Sequence, residues 1–219
     1  MKCTALINTG GKMNAIAIAE EIKKRRRSGC TLLVGLDGLG GAGKSTASEE
    51  IKNILEADNI NTVIFHIDDF IHTRAVRYND DYPQWEQYYY LQWRYDHYLS
   101  SVVRPLREGR ELPPVELYDK ENDRYIICRC DVPEGSIVLT EGIFLQREEL
   151  SGAFDLVIYF DVPEEERLKR VLIRDGYIGD DKAIRSKYEN RYFPAERYYA
   201  EKYLPAQRAD VIVGFPQNP

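Results

Sequence analysis

The chain has 219 residues, 43% hydrophobic and 30% charged, with a formal net charge of −6. That is an ordinary globular balance, which excludes a wholly disordered protein, and a chain of this size buries about 70% of its unfolded surface without disulfide or metal staples. The acidic surplus argues against a duplex-DNA binder, which carries a basic face, and no apolar run approaches the ~18 residues of a membrane span.

Lys2 is followed only by a short, mostly apolar stretch, so no secretory leader is read and a reducing cytoplasm is the expected compartment. The four cysteines, Cys3, Cys30, Cys128 and Cys130, follow no common zinc spacing. Residues 13–27 read as a helix, with Ala15, Ile18, Ala19 and Ile22 at helical spacing and the cations Lys23 to Arg27 at its dipole-negative end.

Five apolar runs follow, at 31–37, 61–68, 136–141, 155–161 and 209–215. Each is rich in Val, Ile, Leu or Phe with little alternation, as in strands buried on both faces. Helical patterns separate them: one through Ala47, Ile51 and Leu55, one through Tyr95, Leu99 and Val103 that should end or kink near Pro105, and one through Leu168, Val171 and Leu172. Alternating strand and helix predicts an α/β fold, a five-stranded parallel sheet flanked by helices. Residues 113–130 read as an inserted β-hairpin. In its second strand Cys128 and Cys130 share a face, and read as small hydrophobes ahead of a metal or redox pair.

Gly38-Leu39-Gly40-Gly41-Ala42-Gly43-Lys44-Ser45 fits G-x-x-x-x-G-K-[ST] and lies between a strand and a helix. That setting makes it a phosphate-binding P-loop: glycines let backbone N–H groups turn in around phosphate oxygens, and the helix dipole adds to them. Gly38, Gly40, Gly41, Ala42, Gly43, Lys44, Ser45 and Thr46 are the expected nucleotide-binding residues. Lys44 would reach the β- and γ-phosphates of a nucleoside triphosphate, and the Ser45 hydroxyl would ligate Mg²⁺.

Ligands of open α/β sheets bind beyond the carboxyl ends of the strands. Asp68-Asp69 and Glu141 end the second and third runs and should share the P-loop rim. One carboxylate can be the base toward an acceptor hydroxyl, and either can hold Mg²⁺ through water. A bare turn or cap is the structural alternative for Asp68-Asp69. On an extended chain Asp69 would point away from Asp68. His66 reads as a packed strand residue. Arg167, Arg170 and Arg174 share one helical face before a glycine-bearing stretch suited to a lid. They could close over phosphates, or pair on the surface with Glu164–Glu166. Residues 77–98 hold seven of the 16 tyrosines and both tryptophans, enough to stack a base or to build an aromatic core.

These residues resemble the uridine kinase and phosphoribulokinase group of P-loop kinases, from about residue 31 to 213. The segment from Leu36 to Thr46 is similar to that group's phosphate loop. Asp68-Asp69-Phe70 is similar to its D-x-F element, and the resemblance makes Asp68 the catalytic base. Arg94-Tyr95-Asp96-His97 resembles its nucleoside-binding element, which implies that Asp96 holds ribose hydroxyls. Val115-Glu116-Leu117-Tyr118-Asp119 resembles its hairpin, where Tyr118 would line the acceptor pocket. Thr140-Glu141-Gly142 and the run from Arg167 to Asp175 complete the likeness. Three departures stand out. Asp123 stands about where uridine kinases carry a histidine for the pyrimidine, no proline follows Asp96-His97, and the basic lid is replaced by residues 176–181.

The resemblance implies one kinase domain over 1–219, with an N-terminal helix 1–28, the hairpin 113–130 and a lid 174–186. It implies a cytoplasmic, ATP- and Mg²⁺-dependent enzyme that phosphorylates an alcohol, foremost the 5′-hydroxyl of uridine or cytidine. Pantothenate, another nucleoside, a sugar phosphate and a non-catalytic regulatory role stand as alternatives. Catalysis would rest on Asp68, Lys44, Arg170 and Arg174, substrate binding on Asp68, Asp96 and Tyr118, and the metal on Ser45 and Glu141. Neither nucleic acid nor membrane is an expected partner, and the sequence leaves homo-oligomerisation open. A regulatory GTPase would need a late N-K-x-D or T-K-x-D element, and the chain has none.

Overall fold

The computed structural model describes residues 5–7 and 12–215. Cys3 and parts of the expected N-terminal segment lie outside them. Along the chain the strands are β1 (Ala5–Ile7), β2 (Leu32–Gly38), β3 (Thr62–His66), β4 (Val115–Asp119), β5 (Arg124–Cys128), β6 (Ile137–Gly142), β7 (Leu156–Asp161) and β8 (Val211–Gly214). Six form one parallel sheet in the order β1-β8-β7-β2-β6-β3, and β4 and β5 form a separate antiparallel hairpin. The five expected strands are all in the sheet. The sixth, β1, adds an edge in register with β8, Ala5 opposite Val211; three residues are too short a run to stand out in sequence.

The helices are α1 (Lys12–Arg25), α2 (Lys44–Ala57), α3 (Arg74–Arg77), α4 (Gln84–Leu91), α5 (Tyr95–Tyr98), α6 (Arg104–Arg107), α7 (Glu164–Arg174), α8 (Asp181–Lys187), α9 (Phe193–Tyr203) and α10 (Pro205–Arg208). Every residue of β2 is buried, which requires cover on both faces of the sheet. Leu32, Val34 and Leu36 pack with Ile18 and Ile22 of α1 and Ile51 and Leu55 of α2. Leu33 points the other way, into a core built with Phe70, Trp93, Tyr98, Phe144 and Tyr199.

That second core absorbs much of the aromatic segment. Phe144 is its hub, with ring centroids 5.3 Å from Tyr89, 5.4 Å from Trp93 and 4.8 Å from Tyr199. Tilted and edge-on pairs at this spacing are favourable beyond the area they bury.

The helix expected to end or kink near Pro105 ends two residues beyond it, at Arg107. A π-helical stretch at Leu99–Val103 precedes α6 and places Pro105 in the first turn of α6. There the missing N–H of proline costs no intrahelical bond. Among the described residues no helix is long and apolar enough to cross a membrane.

Candidate active site

The loop between β2 and α2 is Gly38 to Gly43. Gly43 caps α2 at φ 92°, a left-handed conformation that glycine adopts without steric cost. Gly41 is also left-handed, and a Cβ there would stand 2.9 Å from the Arg167 carbonyl, so the loop lies directly against α7. Lys44 is buried, its Nζ donating to the Leu39 carbonyl at 3.2 Å. Burial pulls its pKa down, while the charges of Glu141, Asp37 and Asp68 push it up. Ser45 and Thr46 open the helix facing solvent.

Register brings the carboxylates to this loop. Glu141 of β6 stands opposite Leu36 of β2 on one side and His66 of β3 on the other. Its Oε1 accepts from the Ser45 hydroxyl at 3.1 Å and lies 2.7 Å from His66 Nδ1. The His66 bond and the Lys44 charge outweigh burial and hold the Glu141 pKa low, and the same bond holds that of His66 high. His66, set aside in the sequence, is therefore part of the site.

β3 passes into a 3-10 turn at Ile67–Asp69. The strand alternation that should have turned Asp69 away does not apply, because the turn puts Asp68 and Asp69 on the same cleft. They differ in partners. Asp68 Oδ1 accepts from Trp93 Nε1 at 3.1 Å. Asp68 is open to solvent at the cleft yet crowded by protein. That crowding raises its pKa first, against the Trp93 bond, and Glu141 raises it further. The turn fits because residue 142 is glycine: a Cβ there would stand 2.1 Å from Ile67 Cγ2.

The three arginines of α7 divide. Arg167 is buried and donates to the Gly40 carbonyl at 3.0 Å and to Glu196 at 2.6 Å. Arg170 donates to the carbonyls of Gly41 and Ala42 at 3.1 and 3.2 Å, so it braces the P-loop and does not line the cleft. Arg174 does line it, held by Asp175 at 2.6 Å. Pairing with Glu164–Glu166 is not what occupies them, since Glu164 takes Arg197 and Glu166 takes Lys169.

One cleft of about 560 Å³ collects Lys44, Ser45, Asp68, Glu141, Tyr118 and Arg174. Tyr118 of β4 accepts from Arg77 at 2.7 Å and donates to Asp123 at 2.8 Å. Asp96 is not brought there. It stands exposed on α5, where the buried neighbours Tyr95 and Tyr98 claim the inward face. In the lid region a 3-10 turn spans Gly176–Ile178, and Lys120 of the hairpin reaches over the Tyr177 ring at 5.1 Å. A larger hollow of about 850 Å³ lies at the opposite end of β2, remote from the P-loop, around Thr31 and Leu32.

Two further buried acids support the loop, and neither was among the expected site residues. Asp37 accepts from the Gly38 N–H at 2.8 Å and from Tyr199 at 2.5 Å. Glu196 accepts from the Gly40 N–H at 2.9 Å. Among the described residues no three His, Cys, Asp or Glu side chains gather to hold a metal. The oxygen donors of Ser45 and Glu141 suit Mg²⁺, which keeps waters and phosphate oxygens as most of its ligands.

The family model of phosphoribulokinase / uridine kinase matches residues 33–214. A uridine kinase of Clostridium tetani is 27% identical over 197 residues, 83% of this chain and 86% of that protein. The structure of a possible uridine kinase from Bacillus stearothermophilus matches with a TM-score of 0.76 at 30% identity, over 92% of this chain and 98% of that one. Inorganic pyrophosphatase TTM1 of Arabidopsis thaliana is 32% identical over 192 residues, 84% of this chain. The chain spans only 27% of that protein's length, and 26% of its relative TTM2.

Proposed function

The chain belongs to the phosphoribulokinase / uridine kinase family, and from that membership we propose that it moves the γ-phosphoryl group of ATP to the hydroxyl of a small-molecule alcohol. The carrying observation is that Lys44, Ser45, Glu141 and Asp68, from three separate elements, meet in one cleft.

In this reading the P-loop amides and Lys44 hold the phosphates and offset the charge that develops on transfer. Ser45 and Glu141 would hold Mg²⁺, which would supply neutralisation of the phosphate charge. Asp68 orients the acceptor hydroxyl and takes its proton. The hydroxyl oxygen forms a bond to the γ-phosphorus as the bond to the β–γ bridging oxygen breaks, and ADP leaves. Arg174 meets the transferring group from the lid at 174–186, and Arg170 serves by holding the loop.

The 5′-hydroxyl of uridine or cytidine is the acceptor that the relatives favour, and Tyr118 on the cleft wall is compatible with it. Asp96, expected to hold a ribose, stands exposed on α5 and is not among the residues that line this cleft. The test is ADP release over a panel of nucleosides, pantothenate and sugar phosphates, with Lys44→Ala as control. Acceptor-dependent ADP release that is lost in the control supports the kinase reading, and ADP release with no acceptor dependence refutes it.

A further inference from the structure

Arg77 is 8% exposed, and it is unusual among the buried arginines of the described residues. Arg167 and Arg147 each pair with a carboxylate, Glu196 and Glu149. Arg191 spends its guanidinium on the Gln84 carbonyl and the Gln87 side chain, both at 3.1 Å. Arg77 instead donates from Nη2 to the Tyr118 hydroxyl, while its Nε finds no partner. The Tyr118 and Tyr78 rings flank it at 4.9 and 5.6 Å. Asp123, the carboxylate behind Tyr118, accepts from that hydroxyl and from the Arg74 N–H through one oxygen, both at 2.8 Å, and its charge reaches Arg77 only across the tyrosine hydroxyl.

Arg77 forms part of the cleft wall together with Arg74 and Lys120. The Arg74 guanidinium donates to the Lys120 carbonyl at 3.1 Å, and the Lys120 ammonium lies over the Tyr177 ring. None of these three cations forms an ion pair among the described residues. A buried guanidinium whose Nε is unpartnered and whose carboxylate stands beyond a tyrosine hydroxyl is under-satisfied, and a planar donor fork matches a phosphate or carboxylate. Asp68 and Asp69 face the same cleft from the β3 side.

We propose that Arg77, with Arg74 and Lys120, is an anion subsite for the acceptor: the alcohol phosphorylated by this chain carries a phosphate or carboxylate group. This rests on the kinase reading above and narrows its acceptor away from neutral nucleosides.

The experiment compares matched acceptors in the ADP-release assay: a pentose phosphate against the free pentose, glycerate against glycerol, and uridine as the neutral nucleoside. The expected result is a kcat/KM at least tenfold higher for the charged member of one pair, and which pair responds distinguishes phosphate from carboxylate. Arg77→Lys should keep part of that preference and Arg77→Ala should lose it, mainly through KM. Because Arg77 is buried, the exposed pair Arg74→Ala/Lys120→Ala is measured as well, and it should raise KM for the charged acceptor severalfold. Separately, with ADP and Mg²⁺ saturating the P-loop, inorganic phosphate should raise the melting temperature of the wild type and not of the double variant. Equal or better turnover of the neutral members overturns the subsite while leaving the kinase reading intact. Should no acceptor be turned over, the kinase reading fails, and the phosphate titration alone decides the subsite.

Discussion

The Glu196 carboxylate accepts the Gly40 N–H at 2.9 Å across 156 residues of sequence. Its other oxygen holds Arg167, which returns a hydrogen bond to the Gly40 carbonyl. One buried ion pair thus fixes both polar groups of a single P-loop glycine and ties the loop to α7 and α9.

Glu196→Gln keeps an acceptor for Gly40 but leaves Arg167 buried without its charge. Breaking one side of such a pair costs about 3–5 kcal/mol. Denaturant unfolding should show a loss of that order, and ATP affinity should fall with it because the loop loses its tether. Unchanged stability would mean that Arg167 finds another counter-charge.

In the proposed reaction Lys44→Ala removes the cation that offsets charge on the transferring phosphoryl group. The expected loss in kcat/KM is on the order of 10² or more. Steady-state kinetics with circular dichroism of the same sample checks that the fold survives.

Asp68→Asn retains the Trp93 bond and the side-chain volume but cannot carry a proton. Turnover should fall by about 10²–10⁴, the range for a general base, with ATP affinity kept. Asp69→Asn should do much less. Because Asp68 sits above the ordinary aspartate value of 3.8, the acid limb of the pH–rate profile should lie above that value. Activity falls as pH falls, since only the deprotonated form accepts the proton. Gly142→Ala should lower turnover too, by driving Ile67 and the Asp68 turn aside.

Arg170→Ala and Arg174→Ala should separate. Arg170 grips P-loop carbonyls, so its loss should weaken ATP binding first. Arg174 reaches the cleft, so its loss should lower kcat more than it weakens ATP binding. Binding and single-turnover measurements on both variants decide between these roles.

The His66–Glu141 contact makes stability depend on pH. His66 is raised from 6.5, so its contribution is complete below that value and is lost as pH rises through the raised value. Glu141 is lowered from 4.5, so its contribution is present above 4.5 and is lost as pH falls through the lowered value. The stability difference between wild type and His66→Gln should therefore be largest between about pH 4.5 and 6.5. It should stay below ~1 kcal/mol, since His66 is partly open to solvent. Melting curves across pH 5–9 test this.

The sequence by itself determined the P-loop, the five main strands and the rim on which Asp68 and Glu141 stand. Those features are local: glycine conformation, apolar runs and strand ends in a parallel sheet are set by neighbouring residues. Only the tertiary structure decided which acids and arginines serve the loop. Glu196 reads as one of many helix glutamates until α9 packs under Gly40. Asp96 loses its place in the cleft because the large rings of Tyr95 and Tyr98 take the buried face of α5. Asp69 shares the cleft with Asp68 because a 3-10 turn replaces the last strand residues, a choice made by the close approach of Ile67 to Gly142. Such outcomes depend on side-chain volume and charge meeting across the fold, and short-range periodicity carries no record of them.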